Sequence, residues 1–153
     1  MKNILIIAFI GLLVSNLSAQ DIKIENGLYC KAGVAYTGEA SIKDASGAIS
    51  LINVVDGNLQ GTAHYYYSDG KIKEEGAYVA GLKSGIWIRY NETGLKVGEG
   101  QYFNGKKHGK WFVWDDNGNK RFEMNYLNGD KYSNWYSWDE KGELVASTNY
   151  DKG

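Results

Sequence analysis

The sequence predicts an all-β fold, an elongated single-layer sheet in which tandem β-hairpins form a twisted antiparallel meander. The first observation behind this prediction is a pattern that recurs every 24 residues from Gly61 to the C-terminus. A fixed period of this size is typical of repeat architectures, in which each unit buries its apolar face only by stacking on its neighbours. The second observation is that the chain contains no proline, which suits strands that must all donate backbone hydrogen bonds.

Each repeat keeps its residue types at fixed positions after its start. Trp stands at the second position, an aromatic residue at the fifth, Gly at the ninth, Tyr at the seventeenth and Gly at the twentieth. The first repeat differs in having Ala63 where the others have Trp. The repeats begin at Gly61, Gly85, Gly109 and Ser133.

Two strand-like runs make up each repeat. In the repeat that starts at Gly109 they are residues 110–114 and 120–127, which are rich in aromatic and β-favouring residues. Gly118 stands in the link between these runs and Gly105 in the link before them, where tight hairpins need a positive φ. Hairpin therefore follows hairpin, and the array is expected to contain about ten strands.

The chain divides into three parts. Residues 1–19 are the predicted signal peptide, residues 20–37 a lead-in or cap that adds a strand or two, and residues 38–153 the repeat array. The array opens with a degenerate copy that lacks the aromatics, as suits a terminal unit with a more polar exposed side. Its units are 38–60, 61–84, 85–108, 109–132 and 133–153.

The N-terminal segment has the features of a secretory signal. Lys2 supplies a positive charge, residues 4–14 are an almost unbroken apolar run, and residues 17–19 form a cleavage site before Gln20. The apolar run is shorter than the roughly 20 helical residues that span a bilayer. We therefore expect a protein exported to the periplasm, the outer surface or the medium; an uncleaved anchor is the alternative.

The charge balance excludes some classes of partner. The chain has 17 basic and 18 acidic residues and a formal net charge of −1. Nucleic-acid binding needs clustered Lys and Arg, so it is not expected, and neither is strong binding to anionic membranes. The single cysteine, Cys30, cannot form an internal disulfide and is interpreted as a small, half-buried apolar residue, with pairing to another chain as the alternative.

The alternation of residues along the strands assigns them to faces. The pairs His64 with Tyr66 and Ile88 with Tyr90 lie two apart and therefore share one face. The Trp at the second position points to the other face or folds over the sheet edge. The Tyr at the seventeenth position is expected to share the face of Tyr66 and Tyr90. Either the sheet coils so that aromatics of successive units stack, or part of the aromatic face stays open for a partner.

No residue pattern points to catalysis. His64 and His108 fall at different repeat positions and form no recurring ligand set, and no nucleophile motif is present, so neither an enzyme nor a cofactor is expected. Glu75, Glu99 and Glu123 recur at the fourteenth position and should lie on alternate strands. They are interpreted as a solvated stripe, with a weak calcium role as the alternative. Their expected cross-strand partners are Lys73, Arg89 and Arg121.

The aromatic residues are the best candidates for a binding surface. Aromatic side chains dominate core energetics as well as interfaces, so this set is read as core, as a protein-binding groove or as a glycan-binding surface. The candidate binding residues are Trp87, Trp111, Trp114, Trp135, Trp138, Tyr66, Tyr90, Tyr102 and Tyr126.

With these motifs in view, the chain resembles the MORN repeat proteins. The stretch 102–111, which reads Tyr-Phe-Asn-Gly-Lys-Lys-His-Gly-Lys-Trp, carries the resemblance best, and the lead-in residues 27–29 and 36–38 also look like the start of such proteins. The similarity is closest to bacterial variant repeats, whose members are often labelled antitoxin-component-like. It implies an elongated array of β-hairpins that binds proteins or, in some cases, lipids.

The sequence thus favours an exported, non-enzymatic protein that acts as a protein-interaction scaffold in the bacterial envelope. An extended partner would bind through side-chain contacts or by strand addition at an open edge. The alternative is a carbohydrate-binding module that uses the Trp and Tyr ladder on a cell-wall or other glycan.

Overall fold

The structure is a computed structural model that describes residues 21–151. The predicted signal peptide, residues 1–19, lies outside the described residues, as does the repeat glycine Gly153. Within the described part, no helix is long and apolar enough to cross a membrane. The strands are β1 (Ile22–Glu25), β2 (Leu28–Lys31), β3 (Val34–Ala35), β4 (Gly38–Lys43), β5 (Ile49–Val55), β6 (Asn58–Tyr66), β7 (Ile72–Val79), β8 (Leu82–Tyr90), β9 (Lys96–Phe103), β10 (Lys106–Trp114), β11 (Lys120–Leu127), β12 (Asp130–Lys131), β13 (Asn134–Trp138) and β14 (Leu144–Asn149).

The predicted antiparallel meander is confirmed. Strands β4 to β14 form one sheet of 11 strands, in which neighbours along the chain are neighbours in the sheet. The short β12 lies beside this path and pairs with β11. Each repeat contributes a hairpin to this single layer.

The lead-in forms a small sheet of its own. Strands β1, β2 and β3 make a 3-stranded sheet, more than the strand or two expected. Backbone hydrogen bonds tie it to the array, since the Tyr29 N–H donates to the Gly57 carbonyl (2.9 Å) and the Gly57 N–H donates to the Tyr36 carbonyl (2.8 Å). Cys30 is only 7 % exposed there, more buried than the half-buried position expected, and makes no disulfide within residues 21–151.

The hydrophobic core lies where this small sheet covers the array. Ile22, Tyr29 and Tyr36 of the lead-in pack against the buried cluster. Among the described residues, that cluster consists of Ala40, Ile52, Val54, Ala63 and Trp87. The fully buried core is therefore confined to the N-terminal half of the array, and the later repeats have no comparable cover among the described residues.

An Asx side chain closes the hairpin loop inside most repeats. The Asp115 Oδ1 accepts hydrogen bonds from the N–H groups of Asn117 (3.0 Å) and Asn119 (2.9 Å), while Gly118 takes a φ of 82°. These backbone donors, that of Asn119 foremost, lower the pKa of Asp115. Asp44, Asn91 and Asp139 make the same pair of bonds in their loops. This local capping explains why short polar residues precede each loop glycine.

The glycine that starts a repeat marks a β-bulge. The pairing of β9 with β10 shifts register between His108 and Trp111, and Gly109 sits in the gap with a φ of 65°. A bulge bends the strand and increases the local twist. In the last unit Ser133 takes this place with a φ of 53°, and the strand is split there into β12 and β13.

The registers define two faces of the sheet. Adjacent residues of a strand point to opposite sides, and two rows run across the array side by side. We call one side the Trp face; its central row is Ala63, Gly76, Trp87, Gly100, Trp111, Met124 and Trp135. The other side is the Glu face, with the row His64, Glu75, Ile88, Glu99, Phe112, Glu123 and Tyr136.

One facing prediction was wrong. The Tyr at the seventeenth position does not share the face of Tyr66 and Tyr90, because Tyr102 packs against Trp87 and Trp111, at centroid distances of 6.2 and 5.0 Å. The register of β8 with β9 sets Tyr102 opposite Gly85 and Gly100 opposite Trp87, and regular alternation then puts Tyr102 on the Trp face. The expectation that the second-position Trp points away from the Tyr66 face is correct.

The loop caps predict how the fold responds to acid. A carboxylate whose pKa is lower in the folded than in the unfolded chain stabilises the fold at pH values above its unfolded pKa. This stabilisation is lost as the pH falls through the folded pKa. The hydrogen bonds that Asp44, Asp69 and Asp115 accept lower the pKa of each of these carboxyl groups. We therefore expect the urea unfolding midpoint to fall as the pH drops below about 4.

Two substitutions of Asp115 distinguish the contribution of its hydrogen bonds from that of its negative charge. Asp115→Asn keeps an Oδ1 acceptor, as Asn91 does in its own loop, so it should cost less stability than Asp115→Ala and should weaken the acid dependence. Asp116→Ala is the control, because Asp116 bonds only the Asn91 side chain among the described residues. Equal midpoints for Asp115→Ala and Asp116→Ala would contradict the capping role.

Candidate functional site

Trp87 and Trp111 are each seated on a glycine of the neighbouring strand, whereas Trp135 has Met124 at that place. A Cβ added to Gly100 would lie 2.2 Å from Cδ2 and 2.4 Å from Cε2 of Trp111, so the indole lies flat over the glycine. Gly76 stands in the same relation to Trp87, at 2.3 Å from both atoms. Only glycine leaves room for this contact, which explains the glycines at positions 76 and 100 in otherwise regular strands.

The indole N–H fixes each ring in its seat. Nε1 of Trp87 donates to the Ala77 carbonyl at 3.1 Å, that of Trp111 to the Gln101 carbonyl at 3.0 Å, and that of Trp135 to the Asn125 carbonyl at 2.8 Å. A buried or half-buried indole needs a hydrogen-bond acceptor for its N–H. The same bond in three repeats shows that the Trp side chain is a structural element of the repeat, held at both its ring and its N–H.

Tyrosines join these rings into a continuous row. Trp87 contacts Tyr78 at a centroid distance of 5.0 Å, Trp111 contacts Tyr102 at 5.0 Å, and Trp135 contacts Tyr150 at 5.0 Å. Most of these contacts are edge-to-face or tilted, the arrangements that aromatic pairs favour. At the N-terminal end the Tyr65 and Tyr78 hydroxyls lie 2.9 Å apart, and burial raises the pKa of both phenols.

A lysine lies over each Trp ring. The Nζ of Lys83 is 3.7 Å from the Trp87 ring centroid, that of Lys107 is 4.3 Å from Trp111, and that of Lys131 is 4.5 Å from Trp135. Each ammonium also lies near the next tyrosine ring, at 5.3, 4.7 and 4.7 Å respectively. Such contacts contribute about 0.5–2 kcal/mol depending on solvation.

Sequence reasoning missed these lysines. Lys83, Lys107 and Lys131 stand exactly one repeat length apart, so the spacing of 24 residues was a signal that could have found them. It could not have shown that they cover the Trp rings, because that depends on how the hairpin turn folds back. The cross-strand glycines Gly76 and Gly100 were missed for the same reason.

The Trp face changes from closed to open along the array. Trp87 is 3 % exposed, whereas Trp111 and Trp135 are only half-buried. Beside them Phe122 exposes 44 % of its surface on the same face. The open part of the Trp face therefore combines half-buried aromatics, one exposed phenylalanine and the ammonium groups of Lys107 and Lys131.

The Glu face is organised by ion pairs. Glu123 bonds Lys110 at 3.2 Å and Lys120 at 3.0 Å. Burial works to raise the pKa of Glu123, but the two lysine contacts outweigh it and lower that pKa. Glu99 pairs with Lys96 at 2.9 Å. Glu75 lies 3.5 Å from His64.

The expected partners of the three glutamates were therefore wrong. Arg89 lies on the Trp face, Arg121 pairs with Asp115 at 3.6 Å, and the Nζ of Lys73 lies 5.6 Å from the Tyr67 ring centroid. The repeat supplies other cations for the stripe. Glu75 accepts a hydrogen bond of 2.7 Å from the Tyr90 hydroxyl, which raises the pKa of Tyr90 to about 12.

The candidate binding residues divide between the two faces. Trp87, Trp111, Trp135, Tyr102 and Tyr126 lie on the Trp face. Trp114 and Trp138 lie on the Glu face beside Phe112 and Tyr136, where Lys96 covers Trp114 at 4.4 Å and Lys120 covers Trp138 at 4.8 Å. Tyr66 and Tyr90 share the Glu face by register. The structure thus does not bring the nine residues together as one ladder.

No metal centre is formed by the described residues. Within residues 21–151, no group of three or more His, Cys, Asp or Glu side chains is placed to hold a metal ion. The His64 Nδ1 lies 3.5 Å from a Glu75 carboxylate oxygen, and the His108 ring packs against Phe103 with 5.8 Å between the ring centroids. An open cleft of about 440 Å³ lies at the C-terminal end of the array, lined by Leu127, Asp130, Lys131, Tyr132, Tyr150 and Asp151.

The fold and the Trp seats define a tandem β-hairpin repeat protein. Comparison with protein families gives the particular repeat. Residues 59–80 and 107–128 match the family described as MORN repeat variant. The two matches start 48 residues apart, twice the repeat length, so they fall on equivalent positions of alternate units. Two of the repeats therefore match the MORN repeat variant family, and MORN repeats generally mediate interaction with proteins or membrane lipids.

No curated protein matches the chain as a relative. The family match describes the repeat and carries no antitoxin function, so the antitoxin-component label stays a prediction from resemblance.

The Gly–Trp seat predicts a large difference between two neighbouring glycines. Gly100→Ala places a methyl group inside the Trp111 ring position, so we expect a loss of about 1–3 kcal/mol in the free energy of unfolding. The matched control is Gly98→Ala on the same strand and face, where the nearest atom is Arg89 Nε at an ordinary 3.5 Å. Denaturant unfolding measures both variants. Equal stability losses would contradict the seat.

Proposed function

We propose that this protein is an exported, non-enzymatic interaction scaffold that binds a protein partner in the bacterial envelope through the open part of the Trp face. The observation that carries the proposal is the uneven cover of this face. Its N-terminal end is covered by the chain's own lead-in sheet, while the part around Trp111 and Trp135 has half-buried aromatics that no segment within residues 21–151 covers in the same way. Aromatic side chains at half-covered surfaces are typical anchors of protein interfaces.

The repeat geometry supports an extended partner. The scaffold presents equivalent side chains every two strands, at a spacing of about 9–10 Å. The seats hold the Trp rings in fixed positions, so binding would cost little side-chain entropy. A partner segment that runs across the strands would meet the same set of groups in each repeat.

The alternative, a carbohydrate-binding module, is supported less on the Trp face. Sugar stacking needs a free ring face, but Trp111 has Gly100 beneath it and Lys107 above it. On the Glu face, Trp114 and Trp138 lie among the carboxylates and ammonium groups that could bond sugar hydroxyls. A glycan, if bound, would therefore be expected on the Glu face.

Export is the part of the proposal that rests on the sequence of residues 1–19 alone. Expression of the full chain in a bacterium should yield a mature protein in the periplasmic or extracellular fraction. N-terminal sequencing should read from Gln20, because cleavage is expected after Ala19. A cytoplasmic product that retains Lys2 would contradict export.

The binding proposal is tested by affinity capture with residues 20–153 on solubilised envelope proteins and, separately, on purified cell-wall glycan. Phe122→Ser on the Trp face removes an exposed apolar side chain, and Ile86→Ser does the same on the Glu face, where Ile86 is 59 % exposed. We expect one protein to be retained by the wild type and by Ile86→Ser and to be depleted with Phe122→Ser. Retention of glycan alone, insensitive to Phe122→Ser, would overturn the proposal.

A further inference from the structure

The Trp face carries a local excess of positive charge. The whole chain has a net charge of −1, yet Lys83, Arg89, Lys107 and Lys131 all lie on this face. Among the described strand residues that share this face in the repeats, Glu74 is acidic and is in register with Arg89. Asp130 and Asp151 line the cleft beside Lys131. On the Glu face, in contrast, Glu99 and Glu123 pair with lysines and Glu75 lies beside His64. Charge is therefore separated between the two faces even though the chain as a whole is close to neutral.

The excess is concentrated at the open end. Lys83 has a carboxylate partner, since its Nζ lies 2.9 Å from Glu74 Oε1. The residues equivalent to Glu74 in the next two repeats are Gly98 and Phe122. Among residues 21–151, Lys107 and Lys131 accordingly form no ion pair, and their Nζ atoms reach only the hydroxyls of Tyr126 (3.5 Å) and Tyr150 (3.3 Å).

Both ammonium groups are held in place from below. The negative faces of the aromatic rings beneath Lys107 and Lys131 hold the two ammonium groups at 4.3–4.7 Å from the ring centroids. Lys131 is exposed and Lys107 is half-buried. A cation that is positioned in this way is ready to accept a carboxylate with little loss of side-chain entropy. The two lysines stand one repeat apart, which corresponds to about 9–10 Å across two strand spacings.

We propose that the open part of the Trp face binds an extended acidic peptide segment whose carboxylates are three residues apart. An extended segment in the polyproline II conformation rises about 3.1 Å per residue with three residues per turn, so carboxylates at positions i and i+3 lie on the same side about 9 Å apart and match Lys107 and Lys131. The bound peptide would lie on the part of the Trp face that follows the part covered by the lead-in sheet. This inference rests on the proposed protein-binding function and names the chemistry of its partner.

The test uses the mature chain, residues 20–153, and two fluorescent 12-residue peptides. One has Glu at every third position, and the other has Gln at the same positions. Fluorescence anisotropy at low ionic strength should show at least ten-fold tighter binding of the Glu peptide, and the difference should shrink with added salt.

Variants locate the binding surface. Lys107→Met with Lys131→Met keeps most of the side-chain stem over the rings but removes both charges, and it should weaken binding of the Glu peptide at least ten-fold. The matched control is Lys110→Met with Lys120→Met, which removes two charges from the Glu face and should change affinity less than two-fold. Lys107→Arg should keep binding, and circular dichroism with thermal unfolding confirms that each variant is folded.

Three outcomes would overturn the inference. They are equal affinity for the Glu and Gln peptides, equal losses in the two double variants, and tighter binding to phosphatidylserine vesicles than to the Glu peptide with loss in the same Trp-face variant. The last would assign the surface to an anionic membrane. A captured envelope protein that binds Lys107→Met with Lys131→Met as tightly as the wild type would leave the proposed function intact and refute only the acidic-peptide inference.

Discussion

The contact on which the structure depends is the seat of an indole ring on the glycine of the neighbouring strand. A single-layer sheet has no second layer to bury its apolar side chains, so each repeat must cover its own backbone. The Trp ring covers Gly76 or Gly100, bonds a backbone carbonyl through Nε1 and is itself covered by a lysine. One Trp side chain thus packs against two neighbouring hairpins and connects each repeat to the next.

This constraint also explains why the two faces differ. The Trp face is occupied by flat rings and their tyrosine neighbours, which leaves the glutamates and their lysines on the other side. At the N-terminal end the small Ala63 replaces Trp, and the lead-in sheet packs there in place of an indole. The array therefore begins with a closed, conventional core and becomes progressively more open toward Trp135.

The repeat period, the hairpin order and the opposite facing of Trp87 and Tyr90 could be predicted from the sequence, because spacing and alternation determine them. The placement of Tyr102 could not, since it depends on the register of β8 against β9, which sets Tyr102 opposite Gly85 and which the repeat spacing does not determine. The lysine covers could not be predicted either, because they depend on the direction in which each turn folds back. The extra lead-in strand was missed since β3 is only 2 residues long.

The most direct test of the indole seat is hydrogen exchange of the five Trp indole N–H groups, followed by NMR on the unsubstituted protein. The seat predicts slow exchange for Trp87, Trp111 and Trp135, which donate to backbone carbonyls. Trp114 and Trp138, whose Nε1 atoms make no such bond within residues 21–151, should exchange fast. Similar rates for all five groups would contradict the seat and, with it, the separation of the two faces.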